Sequence, residues 1–161
     1  MPLTFCEPFP GLQVGTRVLI DGPHGVFVGR RCRSSKVLLI AAGMGITPIR
    51  PLAEELVATG REVILLYGNR RHADVVFEQE LARLCATSAG RLRVFHVLSG
   101  EPNWPGERGR ISRAWVQRLV PDVRDRDVYV CGPSAMMAQV RVDLIAMGVP
   151  ADRLHAERFA L

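Results

Sequence analysis

Three things are scarce in this chain: aromatic side chains, lysine and long apolar runs. Aromatic residues make up 6% of the 161 residues, and Lys36 is the single lysine. The longest apolar run covers residues 37–42, far short of the ~20 residues that cross a bilayer as a helix. The first residues also lack the basic and then apolar layout of a signal peptide. We therefore expect a soluble, cytoplasmic chain, and a membrane segment elsewhere in a longer parent protein stays open.

Cysteine is also scarce, and its spacing excludes two kinds of metal site. The four cysteines are Cys6, Cys32, Cys85 and Cys131. No two of them form a C-x-x-C pair, so a zinc ribbon and a plant-type iron–sulfur site are excluded. In a cytosolic chain, cysteines of this kind are expected to be free thiols.

What the chain has in excess is arginine, which supplies nearly all of its net charge of +5. A guanidinium group pairs with phosphate through two parallel hydrogen bonds. The arginines are scattered and few aromatic residues accompany them, which argues against a nucleic-acid-binding surface. The composition therefore favours a small phosphorylated ligand and no nucleic acid.

An alternation of short apolar runs and helical patterns begins at Lys36. Apolar residues form 48% of the chain, which is typical of a folded globular protein. The pattern predicts strands over 37–41, 63–67, 92–98, 127–131 and 153–159, and helices over 49–59, 73–85, 112–120 and 133–147. Strands that alternate with helices indicate an α/β fold, a doubly wound parallel sheet of five to six strands. The turns 42–48, 67–71 and 131–134 should then line one crevice, because the carboxyl ends of parallel strands share an edge.

Residues 43–48, which read Gly-Met-Gly-Ile-Thr-Pro, follow the first buried strand. Gly43 and Gly45 let a phosphate group approach the backbone, and the helix that follows offers free N–H groups to an anion. Thr47 adds a hydroxyl donor, and Pro48 suits the first helical turn. The alternative is a tight strand-to-helix turn in which Thr47 caps the helix.

A second glycine-bearing turn, Cys131 followed by Gly132 and Pro133, repeats this arrangement after the fourth strand. Cys131 is expected to face the same crevice. The alternative is a buried, small apolar side chain, since no neighbouring His or Lys is present to lower its pKa.

A basic turn follows the second strand, where Arg70 and Arg71 occur without an acidic neighbour. At this position of a dinucleotide-binding fold, arginine favours a 2′-phosphate and an acidic residue favours a free 2′-hydroxyl. The alternative is a solvated basic turn with no ligand.

Six motifs in one order resemble those of the ferredoxin–NADP reductase superfamily. They are GP-x-G-x-F at 22–27, AGMGITP at 42–48, YGNR at 67–70, F-x-x-EL at 77–81, YVCGP-x-x-M at 129–136 and E-x-F at 157–159. The resemblance covers residues 15–161, and segment 155–161 is most similar to the ferric reductase and NADPH oxidase-like branch.

The resemblance implies a division of labour between two domains. An upstream β-barrel domain binds FAD, and an NAD(P)H-binding domain delivers hydride to that flavin for onward transfer to a haem, an iron–sulfur protein or a ferric acceptor. The residues implied for catalysis are Cys131, Glu157 and Phe159. Those implied for cofactor binding are Gly43, Met44, Gly45, Thr47, Pro48, Asn69, Arg70, Arg71, Ser99, Arg110, Cys131, Gly132, Pro133 and Met136. For Glu157 and Phe159 the alternative is ordinary strand-end packing.

The sequence departs from this superfamily in two places. The flavin-binding motif is missing, and residues 1–35, with a strand predicted over 15–21, suffice only for the last barrel strand and a linker. Residues 36–161 are assigned to the nucleotide domain. Many NADPH-using members carry Ser-Arg after the third strand, whereas here Ser99 is followed by Gly and Glu. The candidates to replace that arginine are Arg70, Arg71, Arg108 and Arg110, so NADPH is expected, with NADH as the alternative.

Three functions are compatible with these features. The first, which we expect, is the NAD(P)H-binding module of a flavin-dependent reductase. The second is a dinucleotide-binding fragment without catalysis, because the flavin pocket is mostly absent. The third is a domain that has lost ligand binding, against which the intact Gly43, Gly45 and Gly132 argue.

Overall fold

The structure is a computed structural model that describes residues 16–17, 27–29 and 32–157. The strands are β1 (Lys36–Ala42), β2 (Glu62–Asn69), β3 (Leu92–Leu98), β4 (Glu107–Arg108), β5 (Asp127–Cys131) and β6 (Leu154–Glu157). The helices are α1 (Ile46–Ala58), α2 (Glu78–Thr87), α3 (Arg113–Leu119) and α4 (Ser134–Ala146). The six strands form one sheet in the order β4-β3-β2-β1-β5-β6, and each neighbouring pair is parallel. The predicted parallel α/β sheet is confirmed, whereas the strand predicted over 15–21 lies outside the described residues.

The central strand β1 is buried on both faces of the sheet. Successive side chains of a strand point to opposite faces, and residues 37–41 are all fully buried. Leu38 and Ile40 belong to the core beneath α3 and α4. Val37 and Leu39 belong to the core beneath α1 and α2. Helices therefore cover both faces of the sheet, as a parallel sheet requires.

The second helix begins later than its pattern predicts. The apolar spacing predicts a helix over 73–85 with Val76 inward, but α2 begins after Phe77, and Val76 is 40% exposed. A short 3-10 turn comes first, because the Asp74 carboxylate accepts a hydrogen bond from the Arg71 backbone N–H at 3.0 Å and so favours a turn over a continued helix. Phe77 then adopts a left-handed backbone with φ of 60°. Among the described helices, none has both the length and the apolarity to cross a membrane.

Residues 99–110, for which the sequence pattern predicts neither a strand nor a helix, contain the short strand β4. It pairs with the end of β3, and the Gly109 N–H donates a hydrogen bond to the Leu98 carbonyl at 2.8 Å. Two charged residues are too few to show a period-two pattern, so the sequence does not reveal this strand. The pairing returns the chain to the carboxyl edge of the sheet.

An ionic cluster around the buried Arg126 joins the amino ends of the central strands. Arg126 is 1% exposed, and it donates hydrogen bonds to Asp122 at 2.8 Å and to Glu62 at 2.6 Å. The Lys36 ammonium donates to the second carboxylate oxygen of Asp122 at 2.8 Å. The hydrogen bond from Arg126, supported by Lys36, lowers the pKa of Asp122 to about 2. This cluster lies at the opposite edge of the sheet from the glycine-bearing turns.

Candidate functional site

A cleft of about 740 Å³ opens at the carboxyl edge of the sheet. Its walls come from the ends of β1, β2 and β3, from the chain after β4 and from the start of α4. The residues that line it are Ala42, Gly43, Gly68, Asn69, Arg70, Asp74, Val97, Ser99, Gly109, Arg110, Ile111, Pro133, Ala135, Met136 and Gln139. The turns after β1, β2 and β5 therefore contribute to one crevice.

The first glycine after β1 is open to this cleft. Gly43 has a φ of +51°, a left-handed conformation that favours glycine, and a Cβ added there would meet no atom of the described residues within 4 Å. The buried Tyr67 hydroxyl donates a hydrogen bond to the Gly43 carbonyl at 3.4 Å. The turn thus presents bare main chain to the cleft, which is what close approach of a phosphate group requires.

The second glycine of the same turn faces the protein interior instead. A Cβ added to Gly45 would lie 2.2 Å from the Cys131 carbonyl oxygen and 2.8 Å from the Gly132 nitrogen. The backbone of Gly45 is helical, with φ of −60° and ψ of −9°, so the residue is needed for space and not for conformational freedom. It lets the turn after β1 pack directly on the turn after β5. The space left by the missing Gly45 side chain is thus filled by the backbone of Cys131 and Gly132, and a phosphate contact at Gly45 stays a prediction.

The start of α1 carries Met44, Thr47 and Pro48. The Thr47 hydroxyl donates to the Met44 carbonyl at 3.0 Å, and no side chain caps the helix. The alternative in which Thr47 caps α1 is therefore wrong, because Gly45 occupies the N-cap position. Pro48 lies in the first turn, and Met44 is 39% exposed. A 3-10 turn over Gly43–Gly45 runs into α1, and the Ile46 N–H donates to the carbonyls of Gly43 and Met44. Neither the turn nor the helix has a side-chain cap, so the positive end of this combined helix starts at the Gly43 turn.

The turn after β5 supplies an apolar wall. A Cβ added to Gly132 would lie 2.8 Å from the Met136 methyl carbon and 3.2 Å from the Ala42 Cβ. Because Gly132 lacks a side chain, Met136 can close over the turn. Pro133 and Met136 both line the cleft, as Gly43 does. A flat apolar group of a ligand fits between such walls.

Cys131 lies in the core and not in the cleft wall. Its side chain is fully buried among residues that include Tyr129 and Ile46. Burial, with a smaller contribution from the Glu157 carboxylate, raises the pKa of the thiol to about 11, so the thiol is neutral at pH 7. Glu157 is half-buried and pairs in register with Cys131. Phe159 lies outside the described residues.

The end of the cleft beyond β2 and β3 is basic. Arg70 and Arg110 line it, and neither forms an ion pair with another residue in the described ranges. Asp74 also lines it, with one carboxylate oxygen occupied by the Arg71 backbone N–H. Arg71 itself is not part of the cleft wall. Two guanidinium groups without carboxylate partners suit a phosphate.

Asn69 and Ser99 join the ends of β2 and β3 at this basic end. The Ser99 backbone N–H donates to the Asn69 carbonyl at 3.0 Å, and the Ser99 hydroxyl donates to the same oxygen at 3.4 Å. The Asn69 side chain approaches the Tyr67 hydroxyl, yet its Nδ2 is buried with no partner at hydrogen-bonding geometry in the described part of the chain. Buried donors without acceptors are uncommon, so this amide is a candidate group for a ligand oxygen.

Several cleft residues escape sequence reasoning. Gly109 and Ile111 reach the cleft because β4 returns the chain to this edge, which no pattern in the sequence shows. Ala135 and Gln139 lie one helical turn apart on α4 and share a face near Met136. That helical spacing is the signal by which the sequence could have identified them.

Comparison with known proteins identifies the family of this chain. Residues 39–142 match the model of the oxidoreductase NAD-binding domain family. The ferredoxin reductase component of 3-ketosteroid-9-alpha-monooxygenase from Mycobacterium tuberculosis is 38% identical over 148 residues, covering 91% of this chain and 39% of that protein. The glycine betaine monooxygenase reductase subunit from Chromohalobacter salexigens is 31% identical over 158 residues, covering 92% of this chain and 42% of that protein. The chain thus spans about two-fifths of the length of these relatives.

Two solved structures share the fold over most of this chain. The Amycolatopsis cytochrome P450 reductase GcoB superposes with a TM-score of 0.77 at 29% identity, over 94% of this chain and 46% of that one. The flavohem-like FAD/NAD-binding domain of nitric oxide dioxygenase from Vibrio cholerae superposes with a TM-score of 0.73 at 27% identity, over 86% of this chain and 55% of that one.

Proposed function

Because this chain belongs to the oxidoreductase NAD-binding domain family of the ferredoxin–NADP reductase superfamily, we propose that its cleft binds NAD(P)H. The bound NAD(P)H would transfer a hydride to a flavin in the parent protein. The observation that carries the proposal is the meeting of two glycine-bearing turns with an open basic end in one cleft. Gly43 offers bare main chain at one side, and Arg70 with Arg110 offers positive charge at the other. A dinucleotide needs both, because a pyrophosphate joins its two halves.

The residues present fit such a ligand. The cleft volume of about 740 Å³ lies within the range of roughly 300–1,000 Å³ usual for small-molecule sites. The pyrophosphate is assigned to Gly43 and the start of α1, where the helix has no side-chain cap. The nicotinamide is assigned to the apolar wall of Pro133 and Met136. Among the described residues, no atom lies within 4 Å of a Cβ added at Gly43, so the space next to this residue is open.

The protein's contribution to the reaction is orientation. NAD(P)H supplies the hydride, and FAD in an upstream domain of the parent protein accepts it. Cys131, Glu157 and Phe159 are proposed to shape the nicotinamide side of the site. The neutral Cys131 thiol lies in the core behind the cleft wall, so its proposed contribution is to the packing of the turn after β5 and not nucleophilic attack. Holding two reactants in contact is the main catalytic task of such a site.

We propose NADPH as the preferred dinucleotide, with Arg70 and Arg110 holding its 2′-phosphate. Both guanidinium groups line the cleft without ion-pair partners among the described residues. Ser99 and the buried Asn69 amide supply further hydrogen-bonding groups at this end. Arg71 is not in the cleft wall, so it is assigned no role in phosphate binding.

Calorimetric titration of the purified chain with NADPH and with NADH tests this assignment. Arg70→Ala and Arg110→Ala should each weaken NADPH binding about tenfold, the equivalent of one charge-assisted hydrogen bond. NADH binding should change less than about threefold, because it lacks the 2′-phosphate. Arg71→Ala is the matched control and should leave both affinities unchanged. Equal losses for the two dinucleotides would place the 2′-phosphate elsewhere, and no binding of either would reject the proposed function.

The electron acceptor of the parent protein is proposed to be an iron–sulfur protein, with a haem or a ferric chelate as the other classes. Support comes from relatives named as ferredoxin reductase components and reductase subunits of monooxygenases. The ferric reductase branch and a membrane tether stay predictions. A second candidate is a dinucleotide-binding fragment without turnover, since the chain spans two-fifths of its relatives. An absorbance spectrum of the purified chain separates the two, because bound FAD is yellow.

A further inference from the structure

We propose, resting on the dinucleotide site argued above, that His72 is a positioning residue that holds the 99–110 loop in the form that presents Ser99 and Arg110 to the nucleotide. His72 does not line the cleft. It lies directly behind the basic end, two residues after Arg70, and it contacts the middle of the loop whose ends form the cleft wall.

His72 joins three parts of the chain through three contacts. Its backbone N–H donates a hydrogen bond to a Glu101 carboxylate oxygen at 2.6 Å. Its imidazole ring stacks on the Trp104 indole, with centroids 5.0 Å apart and planes 26° apart. Its Nε2 lies 2.6 Å from the Glu78 carboxylate at the start of α2. The end of β2, the loop and α2 are therefore tied together at one residue.

The loop is folded tightly around Trp104. The Trp104 backbone N–H donates to the Glu101 carbonyl at 3.1 Å, and its indole N–H donates to the His96 carbonyl at 3.4 Å. A Cβ added to Gly106 would lie 2.5 Å from the indole nitrogen, so the loop backbone passes directly over the ring. The stack with His72 thus fixes the side chain around which the loop is built.

Both ends of this loop reach the nucleotide end of the cleft. At the first end, the Gly100 N–H donates to the Arg70 carbonyl at 2.7 Å, directly between Ser99 and the Glu101 that His72 holds. At the second end, Arg110 follows Gly109, whose N–H is bonded to Leu98. The segment that His72 contacts, Glu101 and Trp104, lies between these two bonded ends, so the role assigned to His72 is to limit motion of the chain next to Ser99 and Arg110. A binding group that must be ordered on binding lowers affinity.

The Glu78 contact is the weakest of the three, and the positioning of the loop depends on the contacts with the loop. The His72 and Glu78 side chains are 41% and 48% exposed, and ion pairs this exposed contribute little. The aromatic stack acts on the loop itself, and the hydrogen bond to the Glu101 carboxylate is donated by the His72 backbone, so substitutions of the side chain leave it in place. A ring at position 72 should accordingly preserve most of the effect even when it cannot bond to Glu78.

The test compares His72→Ala with His72→Phe in a Trp115→Phe background. The chain has two tryptophans, so Trp104 is then the single fluorophore. His72→Ala should shift Trp104 emission to longer wavelength, increase its quenching by acrylamide and weaken NADPH binding about three- to tenfold. His72→Phe should restore the emission and most of the affinity. Arg83→Ala, on the exposed face of α2, is the control and should change neither readout.

Two results overturn the positioning role. One is a folded His72→Ala variant with wild-type emission, quenching and NADPH affinity. The other is a variant whose Trp104 spectrum changes while NADPH affinity stays at the wild-type value, which would make the stack structural only. Failure of the wild-type chain to bind either dinucleotide is a different outcome. It rejects the proposed function, and the positioning role falls with it.

Discussion

Replacement of Gly45 by alanine is the sharpest test of how the two turns are assembled. In the structure, the added Cβ would lie 2.2 Å from the Cys131 carbonyl oxygen and 2.5 Å from the Cys131 carbonyl carbon. Favourable contacts between heavy atoms occur near ~3.5 Å, so the turns after β1 and β5 must separate by about 1 Å. Both turns end strands in the middle of the sheet, where the backbone has little freedom to yield.

The expected loss of stability follows from two opposing effects. The Gly45 backbone is helical, so alanine at this position is intrinsically favoured over glycine by about 0.5–1 kcal/mol. Overpacking a tight site costs about 1–3 kcal/mol when side chains can rearrange. Here the atoms that are met belong to the main chain, so the upper part of that range applies. We expect a net loss of about 2 kcal/mol in the free energy of unfolding.

Two other glycines provide matched controls. Gly60→Ala introduces a side chain at a φ of +81° with nothing within 4 Å, far from the cleft, and should destabilise by about 1–2 kcal/mol through backbone strain alone with dinucleotide affinity unchanged. Gly43→Ala, at a φ of +51° and equally open, should destabilise by a similar amount but also weaken dinucleotide binding. Urea unfolding followed by circular dichroism and calorimetric titration measure the two quantities separately. A Gly45→Ala chain as stable as the wild type, with unchanged NADPH affinity, would refute the packing argument.

Two further predictions concern titratable groups. Because folding raises the pKa of Cys131 to about 11, the thiol loses its proton at lower pH in the unfolded chain than in the folded one. The free energy of unfolding should therefore fall as the pH rises from about 9 to 11, and Cys131→Ala should flatten that slope in urea unfolding. The folded wild-type thiol should also resist chemical modification until denaturant is added. Because the pKa of Asp122 is lowered from 3.8 to about 2, its stabilisation is present above about pH 4 and is lost as the pH falls toward 2. That contribution is about 1–2 kcal/mol. Asp122→Asn should remove the loss of stability between pH 4 and 2. The same variant should be less stable at pH 7, because Arg126 then has fewer partners. An unaltered acid slope in this variant would show that Arg126 and Lys36 do not hold the carboxylate as described.

The sheet and its order of elements could be predicted because their cause is local. The run from Val37 to Ala41 has the length and composition of a buried parallel strand, and the structure buries all of it. Such strands must end at a common edge when their connections are right-handed. The meeting of the turns at Gly43 and Pro133 follows from topology alone, without any knowledge of side-chain packing.

What could not be predicted depends on contacts between residues far apart in the chain. The role of Gly45 is set by Cys131, and nothing near Gly45 in the sequence shows that its missing Cβ faces a carbonyl group. The delayed start of α2 depends on Asp74 bonding to Arg71, which competes with a helical pattern that is otherwise sound. Arg71 and Arg70 are indistinguishable in sequence, and only the turn geometry separates the arginine that lines the cleft from the one that does not.

The two ends of the cleft are built by different means, and this has a consequence for specificity. Around Gly43, binding groups belong to the main chain of the central strands, so substitutions that alter them also alter the stability of the fold. At the basic end, the groups are side chains on Arg70 and Arg110, and their placement depends on a surface loop held by His72. This loop carries the edge strand β4, which pairs with β3 alone, so changes in its middle should disturb the two cores less than changes at Gly43. Substitutions in residues 99–110 should therefore change the preference between NADPH and NADH. The affinity for either dinucleotide should instead depend on the packing of Gly45 against Cys131.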